Sequence, residues 1–133
     1  YWRHSMKFRP AQIIIELVIA LAVAMVAIVA LIQSTTKSIS NSTYSKSQTT
    51  ANQLATEAVE WLRYEKNKSW PDFFAKNGTY CLNTLDWNTT QPCSTGEFKR
   101  DLVKTGDDLK ITVTWDEKGK TFSVNQDITF NKY

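Results

Sequence analysis

An apolar run from Ile13 to Ile32 constrains this chain more than any other feature. Glu16 is the only residue in the run that is not apolar. At a helical rise of about 1.5 Å per residue, the run covers about 30 Å, which is the hydrocarbon thickness of a bilayer. It therefore predicts a transmembrane helix. The basic residues before it, Arg3, Lys7 and Arg9, orient the helix with its N-terminus in the cytoplasm.

The residues at the start of this run resemble a known processing signal. A short basic leader, the small residue Ala11, and Glu16 four residues after Gln12 lead directly into the apolar helix. Residues 7–35 in this respect resemble the type III signal of type IV prepilins and pseudopilins. The resemblance implies that a prepilin peptidase cuts between Ala11 and Gln12, and that Gln12 becomes an N-methylated mature N-terminus. The family most often has Gly before the cut and Phe after it, so Ala11 and Gln12 favour a minor subunit.

The carboxylate of Glu16 requires a partner on physical grounds as well. A charge at mid-membrane costs about 2.5–3.5 kcal/mol, and less near an interface. Cleavage would create an α-amine on Gln12, one helical turn away, which the carboxylate could neutralise within one subunit or between subunits. The family resemblance implies the amine of a neighbouring subunit, and a pair that sets the register of a filament. The alternative is an ordinary anchor helix whose Glu16 is hydrated at the interface.

Length and charge bound the remainder of the chain. The 133 residues, less a leader and an anchor, leave about 100 residues, enough for one small domain. The leader holds three of the 16 Lys and Arg residues, so the mature chain has 13 basic and 13 acidic residues. This balance gives no indication of nucleic-acid binding. A cleavable secretory signal is a weaker alternative, because its apolar stretch would be only residues 13–19 with Glu16 in the middle.

The sequence predicts one long helix up to residue 69. Neither Gly nor Pro occurs between Pro10 and Pro71. Small residues at Ala20, Ala24 and Ala27 share a face on which helices could approach closely, although Ala is also simply a good helix former. Residues 33–50 are rich in Ser and Thr, which are poor helix formers, so this segment is either a helix that bends or melts or a flexible stalk. We favour helix.

Two further features concern residues 41–69. Asn41-Ser-Thr43 would accept an N-linked glycan only in a cell that has the machinery. One apolar stripe at helical spacing then indicates the part of the helix on which a domain packs. Its members are Ala51, Leu54, Ala55, Ala58, Val59 and Leu62.

Residues 71–96 are predicted to form a connecting loop that contains Cys81 and Cys93. In an exported chain two cysteines most simply form one disulfide. A metal site is not expected, because no His or further Cys completes a tetrahedral shell. We expect the nearby aromatic residues to be core or loop anchors rather than a ligand platform. They are Trp70, Phe73, Phe74, Tyr80 and Trp87.

The C-terminal third has the period of β-strands. Residues 98–105 are one predicted strand, and apolar residues alternate with polar ones on both sides of a turn at residues 116–119. The predicted fold class is α+β: a long N-terminal helix, transmembrane in its first half, packed by an antiparallel sheet of three or four strands. The expected sections are the leader 1–11, the transmembrane or filament-core helix 12–32, its continuation 33–69, and the globular domain 70–133.

The sequence predicts no enzyme and no cofactor. His4, the only histidine, lies in the leader, so the mature chain cannot contain a Ser-His or Cys-His pair. The expected function is therefore structural: a pilus or pseudopilus subunit held in the cytoplasmic membrane and then polymerised at the cell surface. Its expected partners are membrane lipid, prepilin peptidase, the assembly machinery and other pilins. The alternative is a membrane-anchored extracytoplasmic binding domain that does not polymerise. A third possibility, adhesion or DNA capture at a filament tip, would require an exposed basic or aromatic patch.

Overall fold

The computed structural model describes residues 10–131, so the basic residues of the leader lie outside the described part. The first element is the helix α1, Pro10–Lys68, and a short helix α2, Trp70–Ala75, follows it. Within the described residues four strands follow: β1 Gly78–Cys81, β2 Phe98–Thr105, β3 Asp108–Glu117 and β4 Lys120–Thr129. Two compact units divide the chain after Ser42. The predicted α+β class, a long N-terminal helix with an antiparallel sheet, is confirmed.

The first unit consists of the apolar part of α1 and the beginning of its Ser/Thr-rich part. The helix includes all of residues 33–50, which is the state that we favoured over a flexible stalk. Threonine hydroxyls in this segment donate to carbonyl oxygens four residues earlier, as in the bond of 2.9 Å from Thr35 to Leu31 O. Such bonds satisfy the hydroxyl within the helix, so it does not compete for backbone groups elsewhere.

The second unit begins at Thr43 and contains the last part of α1, α2 and the sheet. The four strands form an antiparallel meander in the order β1-β2-β3-β4. The hairpin between β3 and β4 turns at Lys118 and Gly119, which have φ angles of 51° and 74°. Two successive positive φ angles are typical of the type I′ turn, whose twist matches that of the flanking strands.

A hydrophobic core joins the predicted helix stripe to the sheet. The stripe is buried apart from Leu54, which is half-buried, and β3 contributes alternate residues from Leu109 to Trp115. The corresponding residues of β4 are only half-buried, because β4 is the edge of the sheet. The buried members of the core are Ala51, Ala55, Ala58, Val59, Leu62, Phe73, Tyr80, Leu82, Leu102, Leu109, Ile111, Val113, Trp115 and Phe130.

The prediction that residues 71–96 form only a connecting loop is wrong at both α2 and β1. Pro71 stands in the first turn of α2, where the missing N–H of proline is tolerated, so it starts a helix as well as following one. The side chain of Phe73 on this helix is buried. Strand β1 is four residues long and pairs with β2, with Tyr80 opposite Leu102. A strand this short has too little alternation for its period to be recognised.

Candidate anchoring and assembly site

The apolar part of α1 presents its side chains outward along the whole predicted span. Its large aliphatic side chains are exposed to between 50% at Ile13 and 70% at Val26. By length and composition, this helix near the N-terminus can cross a membrane, and its apolar segment is not buried within the chain. So large an apolar surface is unfavourable in water.

The helical state places the sequence-predicted assembly residues on one side of α1. Gln12, Glu16, Ala20, Ala24 and Ala27 follow one another at intervals of four, four, four and three residues. At about 100° per residue, they fall within about a third of the helix circumference. All five are exposed. The carboxylate therefore stands one turn from Gln12, on the side of the helix that also carries the three alanines.

Ala11, the residue before the predicted cleavage point, is also described and lies in the first turn of α1. It is exposed, as is Gln12. The basic residues that would precede the cut lie outside the described residues. The structure therefore places both predicted processing positions at the start of the apolar helix.

The predicted disulfide between Cys81 and Cys93 is present. The two Cα atoms are 4.8 Å apart and the bond closes a loop with a sequence separation of 12. The backbone N–H of Cys93 donates to Asp101 Oδ1 at 2.6 Å, which attaches the end of the loop to β2. The Asp101 carboxylate and the two sulfurs lie within 4.8 Å of one another. Metal ions bind cysteine as the thiolate, and the two sulfurs of a disulfide are not thiolates. While the disulfide is intact, this group therefore offers no thiolate ligand.

A buried guanidinium that was not predicted from the sequence connects the sheet to the helix. Arg100 is 4% exposed. Its Nε donates to Leu82 O at 2.9 Å, and its Nη1 donates to Leu54 O at 2.9 Å and to Glu57 Oε2 at 2.8 Å. Charge-assisted bonds of this kind are the strong ones in a protein interior. They hold β2 against the second half of α1.

A buried lysine lies four residues further along the same strand. Lys104 is 1% exposed, donates to Gly106 O at 2.6 Å and stands 4.6 Å from the centre of the Phe73 ring. Burial lowers the pKa of Lys104, and the nearby Asp107 carboxylate opposes this shift. The sequence did contain a signal for both cations, because Phe98, Arg100, Leu102 and Lys104 have one parity in β2 and therefore face the core together.

The end of the domain near α2 carries a surface cavity of about 500 Å³. The Trp87 ring forms one wall, and its Nε1–H donates to Glu65 Oε2 at 2.9 Å. The Lys76 ammonium stands 5.3 Å from the centre of the same ring. The predicted role of the aromatic residues as core or loop anchors holds for Phe73 and Tyr80, which are buried. The cavity is lined by Glu65, Lys68, Ser69, Asp72, Phe73, Ala75, Lys76 and Trp87.

Not every aromatic residue in this region is buried. Phe74 is 47% exposed and stacks against Trp70, with the ring centroids 6.1 Å apart. Trp70 is half-buried and packs against the core, as expected of an anchor, whereas Phe74 does not belong to the core. The alternation of buried Phe73 and exposed Phe74 follows from the short helix α2, which can turn only one side toward the core.

The chain matches no protein-family model, and comparison with curated proteins and with solved structures gives no significant match.

Proposed function

We propose that this chain is a structural subunit of a type IV pilus or pseudopilus-like filament. The chain would be inserted in the cytoplasmic membrane through residues 12–32, cleaved between Ala11 and Gln12, and then extracted and polymerised through the same helix. The observation that carries the proposal is the stripe on α1. It combines one carboxylate, one prospective α-amine and three small residues on a helix whose aliphatic side chains are otherwise half or more exposed.

Both environments that the proposal gives this helix, the membrane and the filament, would cover its apolar surface. In the membrane, lipid tails cover the aliphatic side chains, and Glu16 lies near enough to one end of the span to approach the interface. In a filament, helices of neighbouring subunits replace the lipid. Small residues let helix backbones approach closely, and the carboxylate of one subunit can then pair with the α-amine of the next. The pair offsets the cost of burying either charge alone.

The second unit supports export of everything after the span. A disulfide forms and persists in oxidising compartments, so the bond between Cys81 and Cys93 is consistent with a domain outside the cytoplasm. Under the proposal, the domain is carried to the cell surface with the filament. Its partners are the prepilin peptidase, the assembly machinery, membrane lipid and other copies of this chain or other pilins.

The substitution Glu16→Ala tests the proposal. We expect the membrane-inserted amount to stay unchanged and the amount in the sheared filament fraction to fall by at least about tenfold, since loss of 1.4 kcal/mol already gives that factor. Glu60→Ala is a matched control: Glu60 lies in the same helix, and its ion pair with Arg63 is on the surface. Glu16→Gln keeps the shape of the side chain and should behave like Glu16→Ala. Normal incorporation of both Glu16 variants would refute the proposal.

A membrane-anchored extracytoplasmic binding domain is the second candidate, and the cavity beside Trp87 is the observation in its favour. Such a protein needs neither cleavage nor a filament. The intact mass of the protein from its own cells distinguishes the two. A chain that begins at Gln12, with or without one methyl group, supports the pilin-like subunit. A chain that keeps residues 1–11 in cells with an active prepilin peptidase supports the anchored domain.

A further inference from the structure

We propose that Asn88 is a site of N-linked glycosylation, and that the structure selects it from four candidates in this chain. The pattern Asn-x-Ser/Thr, in which x is not Pro, marks an acceptor for an N-linked glycan. It begins at Asn41, Asn67, Asn77 and Asn88. All four side chains are exposed, so exposure does not distinguish them. Backbone conformation and the existing hydrogen bonds do.

Two of the four patterns begin within α1. The pattern at Asn41 is helical throughout, whereas Asn67 and Lys68 stand in the last turn of the helix and Ser69 follows in an extended conformation, so use of Asn67 would require that last turn to unwind. Residues two apart in an α-helix point about 200° away from each other, whereas in an extended chain they lie on the same side. A transferase that must grip the Asn amide and the Ser/Thr hydroxyl together therefore cannot use a helical pattern without unwinding it.

The pattern at Asn77 has its carboxamide in structural use. Asn77 Oδ1 accepts the backbone N–H of Gly106 at 2.6 Å, and its Nδ2 donates to Phe74 O at 3.5 Å. The bond from Gly106 ties the chain before β1 to the turn between β2 and β3. A transferase that grips the Asn77 carboxamide would have to break this bond, so Asn77 is a poor acceptor in the folded domain.

The pattern at Asn88 combines an irregular backbone with an accessible amide. Residues 88–92 are exposed and form neither helix nor strand. The segment is nevertheless held in place, because Thr89 O accepts the N–H of Cys81 at 3.0 Å and the disulfide follows at Cys93. The local partner of Asn88 is the carboxylate of Asp86, whose Oδ1 accepts the Asn88 backbone N–H at 2.8 Å.

The Asp86 carboxylate is a replaceable partner. Hydrogen bonds from the Thr84 hydroxyl and from the backbone and side chain of Asn88 lower the pKa of Asp86. The Thr84 hydroxyl, at 2.6 Å, is the largest of these influences. Release of the Asn88 side chain would leave Asp86 with the Thr84 hydroxyl and solvent, so presenting the amide to a transferase breaks no connection between elements of the fold.

The transfer requires a lipid-diphosphate-linked oligosaccharide as donor. The Asn88 Nδ2 forms a bond to C1 of the first sugar, and the bond from C1 to the diphosphate oxygen breaks. The lipid diphosphate leaves with the electron pair, and the amide nitrogen loses one proton to a base of the transferase. This inference rests on the export of the domain that the proposed function includes.

The test is mass spectrometry of the intact protein and of its peptides, purified from its own cells. Trypsin leaves residues 77–99 in one peptide, which contains two of the four patterns, so substitutions locate the glycan. We expect Asn88→Gln and Thr90→Ala to lose the mass of one glycan, and Thr90→Ser to retain it, because serine also supplies the hydroxyl. Asn41→Gln and Thr79→Ala are the controls and should keep the full mass.

An Asn88 that carries no glycan in the wild-type protein, or a glycan that survives Asn88→Gln, would overturn the inference. The same intact mass keeps this outcome separate from the proposed function. A chain that begins at Gln12 with unmodified Asn88 refutes the glycosylation and supports the pilin-like subunit. A glycosylated chain that retains residues 1–11 supports the glycosylation and refutes prepilin processing.

Discussion

Replacement of Arg100 by Met gives the sharpest test of how the sheet is held on the helix. Met retains most of the aliphatic length and removes the guanidinium, whose Nε and Nη1 donate to Leu82 O and Leu54 O. Bonds from a charged donor contribute about 1.5–3 kcal/mol each, so the two together amount to about 3–6 kcal/mol. The variant no longer has a buried charge to desolvate, and this gain offsets part of the lost free energy. Both carbonyls also keep a second donor, as Leu82 O does from Leu85 N.

We therefore expect Arg100→Met to lower the free energy of unfolding by about 2–3 kcal/mol, since the lost bonds outweigh the relieved desolvation. The ion pair with Glu57 contributes little to this figure, because the Glu57 side chain is 56% exposed. Glu57→Gln, the matched control, should cost only about 0.5 kcal/mol.

Urea unfolding of the full chain in mild detergent, followed by tryptophan fluorescence, measures the change. An unchanged m-value would show that unfolding exposes the same amount of surface in the two variants as in the wild type. The prediction is refuted if Arg100→Met is as stable as the wild type, because the free-energy cost of desolvating the guanidinium would then equal or exceed the contribution of its hydrogen bonds. It is equally refuted if Glu57→Gln costs as much as Arg100→Met, because the exposed ion pair would then dominate.

Three further predictions concern the same domain. Removal of the disulfide by Cys81→Ser with Cys93→Ser should lower the free energy of unfolding by about 3 kcal/mol on the chain-entropy model, as measured by urea unfolding. Reductant should cause the same loss of stability in the wild type but none in the variant. Burial lowers the pKa of Lys104 from its usual value of 10.5, so the unfolded state binds more protons than the folded state at alkaline pH. The free energy of unfolding of the wild type should therefore rise relative to that of Lys104→Met as the pH approaches 10.5. Parallel pH profiles of the two unfolding free energies would contradict this. Leu62→Ala opens a cavity at a fully buried position and should cost about 2–5 kcal/mol, whereas Tyr64→Ala, at a position 61% exposed, should cost less than 1 kcal/mol in the same assay.

The parts of the fold that follow from local period were predictable. The stripe from Ala51 to Leu62, the strand at residues 98–105 and the hairpin around Gly119 depend on spacing within a short stretch of chain. The disulfide was predictable as well, because two cysteines in a chain that is expected to be exported have one simple pairing. Strand β1 and helix α2 were missed, since neither is long enough to show a period and a single Pro71 can both end one helix and begin the next.

The candidate assembly site is almost entirely a property of the sequence. The positions of Ala11, Gln12 and Glu16, and the face that holds Ala20, Ala24 and Ala27, follow from the order of residues once the segment is helical. The roles of Arg100 and Lys104 could be determined only by the tertiary structure. Alternation places both cations on the inner face of β2, but it cannot show that Leu54 O and the Phe73 ring stand within reach of them.

The four glycosylation patterns show the same difference between what the sequence determines and what only the fold determines. The sequence determines where the Asn and the hydroxyl stand along the chain, and at that level Asn41 and Asn88 are equivalent. The fold winds one of them into a helix and leaves the other on an exposed segment held by a disulfide. Period and composition are local and can be found in the sequence, whereas accessibility and hydrogen-bond partners depend on residues that only the folded chain brings together.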